Sequence, residues 1–116
     1  MPERQSPIFS KTYDFILWLL NHTERFPKSE RFRMGKRIED AAFAFYERLV
    51  EAARTQRTAA ALLDADFELT KLRLYLRLSH ARKLTSADQY EYASAALVEV
   101  GKLLGGWIKS VEAASS

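Results

Sequence analysis

The chain of 116 residues contains no cysteine, which excludes disulfide bonds, thiolate zinc sites and thiol nucleophiles together. Only three prolines and four glycines interrupt it, so most positions suit regular secondary structure. No apolar run is longer than the six residues of Phe15 to Leu20, whereas a helix that crosses a bilayer needs about 20. With no secretory signal pattern at its amino terminus, the chain is predicted to be cytoplasmic and to have no membrane partner.

Helical periodicity is what the sequence has in abundance. Apolar residues recur every three or four positions along four segments, the spacing that gives each helix one buried face. Pro27 ends the first segment, and Ser29 is the predicted cap of the second, which runs to about Arg54. The third begins near Thr58, and the fourth begins at Ser86, which forms a capping-box pattern with a glutamine three residues later.

The predicted fold is all-α, an antiparallel up-and-down four-helix bundle, because four amphipathic helices with short connections bury their apolar faces in that arrangement. One domain covers residues 1–116. Residues 1–7 hold two of the three prolines and are predicted to be a loose arm, and residues 112–116 are predicted to be a frayed tail. The first and fourth helices carry more apolar surface than one small core absorbs, which favours a homo-oligomer.

Positive charge is concentrated in two segments. The whole chain carries only +3, yet Arg25 to Arg37 and Lys71 to Lys83 each carry +5, so the remainder is acidic. One basic segment alone is usually a solvated helix face, but two on an otherwise acidic chain favour binding to a polyanion. Arginine outnumbers lysine in both segments, and its planar guanidinium suits phosphate contacts and stacking on unpaired bases, which favours RNA over a membrane surface.

Helical register gives the first candidate contact residues. In the third helix, Arg73, Arg77 and His80 recur at intervals of four and three, on a different side from the buried leucine stripe. Burying unpaired arginines would cost several kcal/mol, so both are predicted to face solvent. His80 is predicted to be either a neutral surface histidine or a hydrogen-bonded one, with a phosphate contact as the alternative.

The sequence contains no recognisable catalytic or metal-binding pattern. A di-iron bundle requires a histidine three residues after a glutamate, but His22 follows Leu19 and His80 follows Arg77 at that spacing. There is no Gly-rich phosphate loop and no serine, histidine and acid set that the sequence places together. The chain is therefore predicted not to be an enzyme, and to have no metal, no cofactor and no small-molecule substrate.

A combination of short stretches resembles a known family. The stretches are DFILWL at residues 14–19, the Phe26-Pro27 turn and Gly35 within the first basic segment, LRLYLRL at 72–78 and VGKLLGGWIK at 100–109. In these stretches the chain resembles the accessory variability determinant, Avd, of diversity-generating retroelements. It also resembles the related four-helix proteins encoded within intervening sequences of ribosomal RNA genes.

The resemblance to Avd implies a non-catalytic accessory protein that assembles as a homopentamer. Its basic surface would engage the reverse transcriptase and the template RNA of the element, to support mutagenic cDNA synthesis. The basic positions of the family match Arg73 and Arg77 here, and more loosely Arg25, Lys28, Arg31 and Lys36. The alternative, implied by the intervening-sequence relatives, is a structural homo-oligomeric scaffold with no retroelement role. A reverse transcriptase gene and near-identical repeats beside this gene would separate the two.

Overall fold

The computed structural model describes the backbone of residues 2–115 and the side chains of residues 7–115. Helix α1 is Pro2–Thr23. The second helical segment, called α2, consists of an α-helical turn Lys28–Glu30, a π-helical turn Arg31–Gly35 and the α-helix Lys36–Arg54. Helix α3 is Thr58–Ala81, and helix α4 is Ala87–Ser115. No strand occurs within the described backbone.

The four helices form a closed ring. Helix α2 packs against α3, α3 packs against α4, and α1 packs against both α2 and α4, so each helix contacts its neighbours in sequence. Because the connections are short, successive helices run in opposite directions, and the body measures 48 × 23 × 20 Å. The predicted antiparallel up-and-down four-helix bundle is confirmed.

The core follows the apolar stripes of the sequence. Its largest fully buried side chains, each less than 2% exposed, include Leu19 from α1, three from α2 (Ile38, Phe45 and Leu49), four from α3 (Leu62, Leu69, Leu72 and Leu76) and two from α4 (Val100 and Leu104). Burying each such side chain contributes about 1.5–3 kcal/mol to the free energy of folding. Trp107, on the same stripe of α4, is only half-buried and makes an edge contact with Phe9 at 6.1 Å.

The helix starts test two capping predictions with opposite results. The capping box at α4 is confirmed: the Gln89 amide donates to Ser86 Oγ at 3.1 Å, and the Ser86 amide donates to Gln89 Oε1 at 2.8 Å. The predicted Ser29 cap of α2 is wrong, because that helix is already under way at Lys28. Pro27 takes the capping position instead, and its carbonyl accepts the Glu30 amide at 2.8 Å.

The two ends of the chain are more helical than the sequence predicted. Helix α1 begins at Pro2, so it includes residues 2–7 of the predicted loose arm. Pro7 removes a single intrahelical hydrogen bond close to the amino end, and the helix continues through it to the buried Ile8. Helix α4 continues to Ser115, whose hydroxyl donates to the Val111 carbonyl at 3.0 Å. Residues 1 and 116 lie outside the described residues.

Candidate nucleic-acid interface

The two basic segments meet at one end of the bundle, formed by residues 24–36 and 80–86 and called the basic end below. His22 Nε2 lies 2.8 Å from Thr85 Oγ1, and Arg82 Nη2 donates to Glu30 Oε2 at 2.7 Å. These contacts join positions that are 63 and 52 residues apart in sequence. The fold therefore brings the carboxyl end of the second basic segment, Arg82 and Lys83, to the first basic segment, while Lys71 and Arg73 lie outside the basic end.

Glu30 stabilises the basic end from inside. Its side chain is 10% exposed, and Oε2 accepts from Arg82 at 2.7 Å and lies 3.5 Å from Arg33. Its other oxygen, Oε1, is buried without a hydrogen-bond partner among the described residues. Because a buried carboxylate is destabilising without a cationic partner, Arg82 serves the fold and much of its charge is neutralised, whereas Arg33 is 68% exposed and a weaker partner. The sequence contained an indication of this ion pair, since Glu30 is the single acidic residue in the first basic segment.

Other cations of the basic end are available to a ligand. Arg25, Lys28 and Arg31 are exposed, and none has an ion-pair partner among the side chains of residues 7–115. Lys36 is exposed and lies 3.1 Å from Asp40, an exposed contact of the kind that contributes about 0–1 kcal/mol. The fold thus leaves the candidates of the first basic segment at the surface.

Arg73 is exposed but held in place. Its Nη2 donates to the Leu97 carbonyl of α4 at 3.3 Å, so the side chain lies across the neighbouring helix. Gly101 makes this path possible, because a β-carbon there would overlap Nη2 of Arg73. The sequence placed Arg73 correctly at the surface, but it gave no sign that this guanidinium contacts a backbone carbonyl.

Arg77 borders the same helix pair without such a contact. It is exposed, and within the described side chains it has no ion-pair or hydrogen-bond partner. A groove of about 400 Å³ runs between α3 and α4, lined by Thr70, Arg73, Leu74, Leu76, Arg77, Tyr90, Ser94, Leu97 and Val98. The two arginines that looked equivalent in sequence therefore differ: Arg73 shapes the groove, and Arg77 offers an unpaired charge beside it.

His80 forms part of the connection between α3 and α4. Its Nδ1 lies 2.9 Å from the Thr85 carbonyl, which can only accept, so Nδ1 carries the proton. The ring is half-buried and stacks on Tyr90 with centroids 4.7 Å apart and planes 2° from parallel. Only Nε2 of His80 can therefore contact a ligand.

His22 was not singled out by the sequence for any role at this end. The side chain is buried beside Thr85 and stacks on Trp18 with centroids 4.8 Å apart. Burial, and secondly the nearby charge of Arg25, hold the pKa of His22 below its ordinary value of 6.5. The imidazole is therefore neutral at pH 7 and serves packing and hydrogen bonding.

Metal sites and membrane-spanning helices are absent from the part of the chain that the structure describes. Among the described side chains, no group of three or more histidine, aspartate or glutamate residues could hold a metal ion. None of the helices within residues 2–115 combines the length and the hydropathy that a membrane crossing requires.

A ring of four helices that gathers cationic side chains at one end defines a small four-helix-bundle protein with a basic surface. The chain belongs to the bAvd-like family, whose sequence model matches residues 7–111. This match confirms the resemblance to Avd that the sequence motifs indicated.

A solved structure has the same fold. It is the crystal structure of a protein of unknown function from the S23 ribosomal protein family of Bacteroides thetaiotaomicron, with a TM-score of 0.84. The two sequences are 22% identical, and the alignment covers 91% of this chain and 98% of that one. No curated protein matches the chain.

Proposed function

We propose that this protein is a non-catalytic accessory protein of a diversity-generating retroelement, and that its basic end binds the template RNA and the reverse transcriptase of the element. The observation that carries the proposal is the meeting of two basic segments at one surface, joined by the contact of Arg82 with Glu30. Membership of the bAvd-like family supports the same role.

RNA is bound chiefly through phosphate contacts. Arg25, Lys28 and Arg31 are the principal contacts, because their charge is exposed and unpaired among the described side chains. Lys36 adds to this surface, and Arg77 extends it along α3. Each phosphate that a cation neutralises releases counterions, so affinity falls steeply with salt. Arg73 and His80 act mainly by shaping this surface, since each already donates to a backbone carbonyl.

Two apolar surfaces support a homo-oligomer. One is a groove of about 530 Å³ between α1 and α2, lined by Tyr13, Ile16, Leu17, Leu20, Phe43, Tyr46, Glu47 and Val50. The other is a stripe on the side of α3 away from the core, formed by Leu63, Phe67, Leu74 and Leu78, which are 40–62% exposed. Exposed apolar surface of this extent on a small protein is typical of an interface.

The two surfaces are different, and they lie on different sides of the bundle. A contact between two unlike surfaces repeats from one protomer to the next, and it closes into a ring when the rotation permits. The protein is accordingly a cyclic homo-oligomer. The number five comes from the resemblance to Avd.

Charge reversal tests the RNA-binding role. Replacing Arg25, Lys28 and Arg31 by glutamate removes three phosphate contacts and adds repulsion, so binding of a mixed-sequence single-stranded RNA should be lost. The helicity and the oligomeric mass should stay unchanged, because these side chains are exposed and unpaired among the described residues.

A matched variant controls for net charge. It carries glutamate at Arg54, Lys102 and Lys109, three exposed cations that lie away from the basic end. This variant should keep most of the affinity, and equal losses in both variants would contradict the assignment of the surface. Co-purification with a reverse transcriptase, expressed from the same genetic element, tests the second partner. If the wild-type protein binds neither RNA nor a reverse transcriptase, the scaffold alternative is favoured.

Light scattering tests the oligomer. One protomer has a mass of 13.3 kDa, so the pentamer should have five times that mass. Replacing Leu17 or Phe67 by glutamate places a charge within one of the two apolar surfaces and should dissociate the ring. Phe32→Glu, which adds the same charge at the exposed basic end, should leave the mass unchanged. A wild-type mass of a single protomer at micromolar concentration would rule the oligomer out.

A further inference from the structure

Phe32 is the most exposed large apolar side chain among the described residues, with 74% of its surface open to solvent. It contributes little to the core, and no other ring contacts it within residues 7–115. Phe67 provides a contrast, since the ammonium of Lys71 lies 5.4 Å from the centre of its ring. An uncovered phenyl group is therefore a distinct feature of the basic end.

The π-helical turn explains why Phe32 points outward. Glu30 and Gly35 are both buried, and they are five residues apart, about one turn of a π-helix. With these two positions facing the bundle, the three residues between Glu30 and Met34 are left on the outer side, and all three are exposed. Single π-helical turns within α-helices are frequent at functional sites.

This turn is fixed to the rest of the bundle. A β-carbon at Gly35 would lie 3.7 Å from the ring of Phe26, which is 3% exposed, so the turn packs closely against the α1–α2 connection. Glu30 joins it to the α3–α4 connection through Arg82. A ring presented on an anchored backbone loses little conformational freedom when it binds a ligand.

The neighbours of Phe32 are cationic. Arg31 and Arg33 flank it in sequence, and Lys28 and Lys36 lie four residues before and after it, about one helical turn away. A ligand that carries phosphates and also flat apolar faces fits both features, and single-stranded nucleic acid is such a ligand.

We propose that Phe32 is a stacking platform for an unpaired base of single-stranded RNA, while Lys28 and Arg31 contact the flanking phosphates. This inference rests on the proposed function and narrows its ligand from RNA in general to a stretch with an unpaired base. Duplex RNA keeps its bases stacked inside the helix, so the phenyl group has no base face to contact there.

Three substitutions at this position test the inference in the full-length protein. Phe32→Ala removes the ring, Phe32→Leu keeps apolar volume without a flat face, and Phe32→Trp keeps a stacking surface. Affinity for a mixed-sequence single-stranded RNA should fall about 5- to 150-fold in the first two variants and be retained in the third. The salt dependence of binding should not change, because a phenyl group neutralises no phosphate.

A duplex of the same RNA with its complementary strand is the control ligand, because it has phosphates but no unpaired base. All three variants should bind this duplex as the wild-type protein does, since only phosphates are contacted. Equal loss of duplex binding would overturn the inference, because it would show that the substitution damages the surface in general. Circular dichroism and light scattering confirm that each variant keeps its fold and its mass.

The results separate this inference from the proposed function. If the wild-type protein binds single-stranded RNA and the Phe32→Ala variant binds it equally well, the base-stacking inference is wrong, and the proposal that the protein binds RNA is supported. If Phe32→Ala keeps RNA affinity but loses co-purification with the reverse transcriptase, Phe32 contacts protein instead, and the inference is wrong. If the wild-type protein binds no RNA at all, both the proposed function and this inference fail.

Discussion

The two basic segments have the same net charge, but the fold uses them differently. In residues 25–37, four of the six cations are exposed and unpaired among the described side chains: Arg25, Lys28, Arg31 and Arg37. In residues 71–83, only Arg77 and Lys83 are; Lys71 pairs with Glu68, Arg73 donates to the Leu97 carbonyl, and Arg82 pairs with Glu30. The net charge of a segment therefore does not measure the charge that it offers to a ligand. The partners that each cation finds in the folded chain determine the charge that is available.

The largest expected difference between the segments is in stability. Leu76 of the second segment is 1% exposed, so Leu76→Ala should lower the free energy of unfolding by about 2–5 kcal/mol. Phe32→Ala, in the first segment, should change it by no more than about 0.5 kcal/mol, because that ring is at the surface. Urea unfolding of both variants checks this. Similar losses would show that the first segment also contributes to the core.

The ion pair at Glu30 should have the next largest effect. Removing the side chain of Arg82 leaves a mostly buried carboxylate with one distant cation, which should cost about 1–3 kcal/mol. Arg33→Ala is the control, because that arginine is 68% exposed and 3.5 Å away, and it should cost about 0.5 kcal/mol or less. A double-mutant cycle with Glu30→Gln measures the coupling directly. No coupling would mean that the contact does not stabilise the basic end.

Two glycines of α4 test how firmly Arg73 is held. A β-carbon at Gly105 meets nothing within 4 Å, so Gly105→Ala should stabilise the helix by about 0.5–1 kcal/mol. At Gly101 the same change displaces Arg73 from the Leu97 carbonyl, so the gain should be smaller or absent. Thermal unfolding of the two variants gives the difference. Equal gains would show that the Arg73 contact contributes nothing.

The smallest expected effect is a dependence on pH. The pKa of His22 is lower in the folded protein than its ordinary value of 6.5, so the unfolded chain binds a proton more readily. Protonation of His22 therefore does not change stability above about pH 6.5, and stability falls as the pH drops from there through the lowered pKa. In a His22→Gln variant this part of the acid sensitivity should disappear. An unchanged pH profile would mean that other groups cause it.

Much of the fold could be predicted because the responsible forces are local. The three- and four-residue apolar period located all four helices, and the short-range pattern from Ser86 to Gln89 located the start of α4. The misplaced cap at Ser29 has a local cause as well, since Pro27 already had the backbone conformation of a cap. The sequence also placed Arg73 and Arg77 at the surface, where the structure has them.

The candidate site was harder to predict because contacts between distant residues determine it. No local period reveals that Arg82 reaches Glu30, 52 residues away, or that Arg73 crosses α4 above Gly101. Phe32 was overlooked because an exposed aromatic residue and a core aromatic residue look alike until the register of the π-helical turn is known. Counting charges therefore located the basic segments, but it did not show which side chains are available.

The salt dependence of RNA binding tests the central claim most directly. Two variants each lose two positive charges: Lys28→Gln with Arg31→Gln, and Lys71→Gln with Arg73→Gln. For single-stranded RNA, each lost phosphate contact should lower the slope of log affinity against log salt by about 0.7. We expect a decrease of about 1.4 for the first pair, whose charges are unpaired among the described residues, and almost none for the second, whose side chains are held by Glu68 and by the Leu97 carbonyl and lie outside the basic end. Equal decreases, or a larger decrease for the second pair, would contradict the account.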